Sequence, residues 1–281
     1  MSAGKFADLH IHTSFSDGSW TPSQAVEYAK KIKLSAIAIS DHDSIDGIEE
    51  AFTAAKNQIE IIPAIEMSAM LEKPSKCEIH ILGYYIDYKS RSLKKTLNFL
   101  KEERLKRGYK ILEALKGLGI VLKDKKFLQD VKNKALGRLH FAKALVNENF
   151  ATDIQDAFKK YLARDKAAYI PKYPLSPKKA IKFILKAGGI PIAAHPYFIP
   201  YKNKEMWTSL KDDGIAGIEV WHTKHSPDTV ARMLRIAFEF DFLTTGGSDC
   251  HGEYRDEPAL MGKVKVPYSI VEKLKNAAEE K

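Results

Sequence analysis

"FADLHIHTSFSDGSW", residues 6–20, sets His10 and His12 one residue apart behind a short apolar run, with Asp17 five residues further on. The run from Lys5 to His12 has the short, apolar-rich pattern of a strand. Positions i and i+2 of a strand point to one face, so the two imidazoles lie side by side. "TPSQAVEYAKKIKL", residues 21–34, then reads as a helix, with Thr21 as its cap and Pro22 at its first position. A strand that ends in polar side chains and runs into a capped helix is a β/α unit.

The same unit recurs along the chain. "SAIAISDHD" (35–43) reads as a second strand and "SIDGIEEAFTAAKNQ" (44–58) as its helix. "IEIIPAIEMSAM" (59–70) and "CEIHILGYYID" (77–87) read as strands three and four. Residues 91–165 then read as almost wholly helical, with Gly117 and Gly119 marking a turn. Alternation resumes with the helix "SPKKAIKFILKAGG" (176–189), which ends at a glycine pair. The strand "IPIAAHPY" (190–197) follows, then "IAGIEVWHTKHS" (215–226), the helix "SPDTVARMLRIAFEFD" (226–241) and "FLTTGGSDCHG" (242–252). Strands separated by helices imply parallel pairing. The expected fold is α/β, seven β/α-type units in a closed or nearly closed barrel, with a doubly wound open sheet as the alternative. Residues 1–90 and 166–281 form the barrel, and 91–165 form a helical insertion.

The 281 residues, 44% hydrophobic, suffice for one large domain with a small insertion. No apolar run is long enough to span a bilayer, and Asp8 and His10 interrupt any leader-like segment, so a cytoplasmic enzyme with no membrane contact is expected. Cys77 and Cys250 do not make a disulfide framework, and both read as small buried side chains. The net charge is +9; residues 91–138 hold 15 Lys+Arg against 5 Asp+Glu, an excess of 10, which leaves the rest near −1. That segment is either a set of lysine-rich solvated helix faces or a basic wall that attracts phosphorylated substrates, and the two are compatible.

The unusual polar residues fall at expected strand ends. His10 and His12 end strand one, Asp41, His42 and Asp43 strand two, and Glu66 strand three. His80 lies in or near the end of strand four, His195 ends strand five, Trp221 and His222 strand six, and Asp249 and His251 strand seven. In a β/α barrel these ends form the mouth where active sites sit. Asp249-x-His251 repeats the same-face spacing with one carboxylate. Neutral imidazole with carboxylate suits zinc, manganese and iron, and the two oxygens of Glu66 could bridge two ions.

The motifs "DLHIHTSFSDGSWTPSQAVEYAKK", "IAISDHDSIDGIEEA", "PAIEMSA", "EIHILGYY", "IAAHPY" and "GGSDCHG" strongly resemble the PHP (polymerase and histidinol phosphatase) domain family, in family order from residue 8 to 252. The resemblance implies a distorted seven-stranded (β/α)7 barrel, three divalent ions, manganese foremost with zinc or iron as alternatives, and cleavage of phosphoesters. It implies His10, His12, Glu66 and Asp249 at one ion, and Glu66, His80 and His195 at a second. Asp17, His42 and His251 would hold the third. Within the family, "ALGRLHFAKALV" (135–146), "YLARDKAAYIPKYPLSP" (161–177) and "GIEVWHTKHSP" (217–227) are similar to standalone bacterial enzymes. Those act on nucleoside 3′,5′-bisphosphates and short 5′-phosphorylated RNA.

The chemistry that follows is attack of a metal-bound hydroxide on phosphorus, with Glu66, Asp249 and His222 as the catalytic groups. Arg138 would cradle a second phosphate through its guanidinium, with His140, Lys172 and His225 as further substrate contacts. Tyr169 is a weaker candidate for the mouth, Tyr197 or Trp221 could stack on a base, and Asp41 could orient a ligand imidazole. The expected partner is a phosphorylated small molecule or a short oligonucleotide, with no obligate protein partner. Histidinol phosphate is the alternative substrate. An amidohydrolase would want a bridging lysine on strand four, which has none, and a non-catalytic binding module would dispense with the ligand set.

Overall fold

The computed structural model describes residues 4–73, 77–123, 136–253 and 258–280. The chain divides into two compact units, Met1–Lys94 with Leu175–Lys281, and Lys95–Pro174. The second unit thus carries residues 166–174, which the sequence pattern placed with the barrel.

The first unit is built on one sheet. Its strands among the described residues are β1 (Phe6–Ile11), β2 (Ala36–Ile39), β3 (Glu60–Leu71), β4 (Cys77–Tyr84), β5 (Ile190–Ala193), β6 (Gly217–His222), β7 (Leu243–Gly247) and the short β8 (Val266–Pro267). They run in the order β7-β6-β5-β4-β3-β2-β1-β8. Helices α1 (Pro22–Lys31) and α2 (Ile48–Ala55) follow the first two strands. The Thr21 hydroxyl accepts from Gln24 N while the Gln24 side chain answers at Thr21 N, and Pro22 fills the position whose N–H needs no partner.

The sheet closes back on itself between β1 and the exit of β7. His12 N donates to Cys250 O at 2.9 Å, and Cys250 N to His10 O at 3.3 Å. Gly247 permits this approach, because a Cβ there would stand 2.5 Å from the Cβ of His10. Gly247→Ala should therefore destabilise the fold by about 1–3 kcal/mol. A denaturation midpoint unchanged from the parent would show that the two strands are not so tightly apposed.

The sequence pattern needs two corrections here. The sheet has eight strands, since β8 adds an antiparallel edge to β1. Nor is pairing parallel throughout, because β4 is antiparallel to both β3 and β5. Only five residues separate Leu71 from Cys77, far short of the dozen or so that a parallel crossover needs, so β3 and β4 must form a hairpin. Glu66 consequently lies inside β3, and His80 comes from the first half of a strand that runs the other way.

Several later elements complete this unit. Helix α3 (Arg91–Gly117) starts in it and continues into the second unit, where α4 (Arg138–Asn147) and α5 (Ile154–Ala157) lie, with a π-helical turn at Phe158–Leu162. The first unit resumes with α6 (Pro177–Lys186), α7 (Lys204–Asp212), α8 (Pro227–Phe240) and α9 (Tyr268–Glu279). Ser176 and Ser226 cap α6 and α8 ahead of a proline. The sequence reading had no counterpart for α7 or α9.

The second unit has its own core of Ile111, Leu115, Phe141, Leu145, Leu162 and their neighbours. Two basic side chains of its lysine- and arginine-rich stretch are structural. Arg104 Nη1 donates to Leu136 O at 3.0 Å and Arg107 Nε to Ile170 O at 2.6 Å, both from buried positions. Residues 124–135 of that stretch lie outside the described residues.

Candidate metal centre

Alternation along β1 turns Ala7, Leu9 and Ile11 to one face, and turns Asp8 and His10, with His12 beyond the strand end, to the other. His10 and His12 are buried, and their Nε2 atoms lie 3.1 Å apart. On the hairpin, Ser68 pairs with His80, so Glu66 and His80 are diagonal neighbours on one face. His42 follows β2 and bridges to Glu66, and His195 follows β5. Asp249 and His251 follow β7, so all of these groups come from one unit.

Glu66 is fully buried at the focus of this arrangement. Its Oε1 lies 2.8 Å from His195 Nε2, 3.0 Å from His80 Nδ1 and 3.5 Å from His10 Nε2. Its Oε2 lies 2.8 Å from His42 Nδ1 and 3.3 Å from His12 Nε2. Asp249 Oδ1 stands 3.0 Å from His12 Nε2 and 3.5 Å from His10 Nε2. Asp17 Oδ1 lies 3.2 Å from His251 Nε2, and Asp17 Oδ2 3.9 Å from His42 Nε2. Donor atoms gather within 4.8 Å of one another in three overlapping groups: His10, His12 and Glu66; His42, Glu66 and His80; and His12, Asp17, His42 and His251. The geometry thus adds His12 to the group built on Asp17.

These residues fit divalent cations. His12 Nδ1, His42 Nδ1 and Glu66 Oε2 are buried polar atoms without a hydrogen-bond partner, a costly state unless something else engages them. His42 Nδ1 and Glu66 Oε2 face each other at 2.8 Å without hydrogen-bonding. The 3.1 Å between His10 and His12 is the span of two nitrogens that share an ion with bonds of about 2.1 Å. Backbone strain collects at the same place, since His195 and Asp249 both have positive φ, 25° and 54°.

Electrostatics point the same way. Burial alone would depress His10, but Glu219, Asp249 and Glu66 hold it well above the usual imidazole range. Burial likewise opposes the charge on His80 and His251. Glu66 nonetheless pushes His80 up to about 9, and Asp17 pushes His251 up to about 10. His42 goes down to about 4, because burial there outweighs Glu66 and Asp17. Burial would raise Glu66, yet the surrounding imidazoles hold it well below the carboxylate range. The pocket therefore stabilises positive charge, and in the metal-free protein protons supply it.

A ligating imidazole must be neutral, so metal uptake has to expel those protons. Near pH 7 at least two should be released, from His80 and His251, and affinity should rise as pH climbs from 6 to 8. Titration calorimetry in buffers of different ionisation enthalpy reads the release directly. A heat independent of buffer would mean that these two imidazoles are already neutral.

Glu219 is the residue the sequence reading missed. It is fully buried in β6, accepts from His10 Nδ1 at 2.9 Å, and receives His195 N at 2.7 Å. It thereby fixes the His10 tautomer with its proton on Nδ1, leaving Nε2 toward Glu66 and Asp249. An acid in the middle of the apolar "GIEVWH" was the available signal.

Other expected roles change with the geometry. Asp41 accepts from Thr13 N and from the Thr13 and Ser16 hydroxyls, so it holds the loop after β1 rather than orienting an imidazole. Trp221 packs against an apolar core cluster. Cys250 is buried, but Cys77 is only partly so. His222 Nδ1 accepts from Lys224 N at 3.1 Å, which places its proton on Nε2, 3.3 Å from Asp249 Oδ2. His225 is half-buried, its Nδ1 bonded to Val220 O at 2.8 Å, and burial lowers its pKa.

Arg138, His140 and Lys172 belong to the second unit. The Arg138 guanidinium lies over the rings of Phe158 and Tyr169 and donates to Leu162 O at 3.2 Å. His140 Nδ1 lies 3.1 Å from Gly137 N at the start of α4.

The chain is similar to several known proteins. Residues 8–167 match the PHP domain. The 5′-3′ exoribonuclease Rnm of Salmonella typhimurium is 32% identical over 87% of this chain and 84% of its own. The 3′,5′-nucleoside bisphosphate phosphatase of Chromobacterium violaceum is 29% identical over 87% of this chain and 86% of its own. A Bifidobacterium adolescentis crystal structure, provisionally described as a metal-dependent phosphoesterase, superposes with a TM-score of 0.85. It is 30% identical and covers 95% of this chain and 94% of its own. No helix among the described residues is long and apolar enough to cross a membrane.

Proposed function

The chain belongs to the PHP domain family, and from that premise we propose that it is a metal-dependent phosphoesterase. Its substrates are nucleoside 3′,5′-bisphosphates, short 5′-phosphorylated oligonucleotides, or both. The observation that carries this reading is the buried Glu66 carboxylate within 3.5 Å of five imidazoles from four segments of the chain. His10, His12, Glu66 and Asp249 would hold one ion, Glu66, His80 and His195 a second, and Asp17, His42 and His251 a third, with manganese the proposed metal. Bound divalent ions supply an acidified water and neutralise phosphate oxygens.

The chain's own residues do the rest. Glu66 and Asp249 keep the imidazole cluster charge-balanced, and Glu219 orients His10 and His195. His222 holds its proton on Nε2 beside Asp249, placed to pass it to the leaving oxygen. The insertion, residues 91–165, serves as a substrate cap. Arg138 receives the second phosphate, with His140, Lys172 and His225 as additional contacts. On that assignment Arg138→Ala should raise KM for adenosine 3′,5′-bisphosphate about tenfold or more and leave a monophosphate nearly unaffected. Equal effects on both would remove Arg138 from the substrate.

The deciding experiment assays three substrates with manganese: adenosine 3′,5′-bisphosphate, a 5′-phosphorylated RNA tetramer and histidinol phosphate. Turnover of the first two is expected. Turnover of histidinol phosphate alone would overturn the substrate class and keep the metal chemistry.

A further inference from the structure

Beyond the metal centre, the strongest unassigned feature is a cationic cavity in the same unit. It measures about 240 Å³ and is lined by Tyr201, Lys202, Lys204, Trp207, Arg232 and Arg235 among others. Lys204 pairs with Glu239. Lys202, Arg232 and Arg235 are exposed and make no ion pair with the described residues. Three uncompensated cations around one concavity repel one another, so the arrangement favours an anionic occupant.

A second observation ties the cavity to the metal centre. The segment that starts at His195 runs directly to it. Tyr201 is six residues on, at most about 20 Å even if fully extended. Between them Tyr197 and Phe198 stand 50% and 55% exposed, their rings 5.3 Å apart and edge-to-face. Phe198 lies 5.5 Å from the His195 ring and 6.4 Å from that of His222. Exposed aromatic rings followed by unpaired cations are what a single strand of nucleic acid requires: faces for bases, then charges for phosphates.

We propose that Tyr197, Phe198 and the Lys202–Arg232–Arg235 cavity form a track for single-stranded RNA. The track would hold the nucleotides that follow the one at the metal centre. This rests on the phosphoesterase reading and deepens it, since it makes an oligonucleotide a specific substrate rather than a tolerated one.

The test is an Arg232→Ala/Arg235→Ala double variant. The metal-loaded protein is titrated by fluorescence anisotropy with a labelled 5′-phosphorylated RNA octamer whose phosphorothioate linkages resist cleavage. The variant should bind at least about tenfold more weakly, with a salt-dependence slope reduced by about 1.4. Its turnover of adenosine 3′,5′-bisphosphate should match the parent, which also shows that it folds, and the Arg232→Lys/Arg235→Lys variant should keep most of the binding. Equal octamer affinity in parent and double variant overturns the track. So does a parent that fails to bind the octamer but binds an acidic peptide through these arginines. Parent enzyme that binds RNA through the arginines yet hydrolyses neither the bisphosphate nor unmodified RNA would instead refute the phosphoesterase reading.

Discussion

Glu66→Gln should lower kcat on the order of a thousandfold and remove roughly one metal equivalent or more per chain. The substitution is isosteric, so the hairpin and the β2–β3 pairing should survive. What it removes is the one negative charge within 3.5 Å of five imidazoles. With that charge gone, the amide oxygen that remains is an uncharged and much weaker ligand for divalent cations. The amide also brings an N–H donor up to nitrogens whose lone pairs are needed for metal. Elemental analysis of the purified variant, beside its kinetics, separates metal loss from a purely catalytic defect. Glu66→Asp keeps the charge but withdraws it by one methylene, and should fall between parent and Gln. Parent-like activity and metal content in Glu66→Gln would overturn the proposed centre.

Asp249→Asn is expected to cost about a hundredfold or more in kcat/KM. Asp249 Oδ1 faces His12 and His10, while Oδ2 lies 3.3 Å from His222 Nε2. The carboxylate thus joins two proposed ligands to the residue proposed to carry the leaving-group proton. The sign of its pH effect follows from its environment. Burial would raise Asp249, but His10, His12 and His222 hold it well below the carboxylate range. It is therefore ionised across the working range, and the acid limb of the parent's activity should come from the imidazoles. The Asn variant should lose activity evenly from pH 6 to 9 and keep the parent's acid limb. A loss confined to low pH would mean that Asp249 itself titrates there. The backbone at this residue already has φ of 54°, a conformation asparagine tolerates, so the loss should not come from misfolding.

Much of the site was visible in the chain because strand periodicity is local. The spacing of His10 and His12 puts them on one face whatever the rest of the fold does. An imidazole or carboxylate where an apolar run ends is conspicuous against its neighbours. Thr21 announced its helix for the same reason, since a cap and the proline after it act within one turn. Glu219 was passed over because its function lies in a partner 209 positions away. Asp41, expected to orient a ligand imidazole, accepts instead from Thr13 and Ser16, partners that no local spacing reveals.

The sequence by itself determined the β/α character, the ligand chemistry and the strand-exit positions of most candidate ligands. Each of these depends on side-chain type and on periods of two or 3.6 residues. Only the tertiary structure decided that β4 runs against its neighbours, that Glu66 sits at the focus of five imidazoles, and that Glu219 sets the His10 tautomer. Those facts depend on which strands become neighbours. Loop closure and the packing of the whole sheet select that pairing, and no short stretch of the chain contains it.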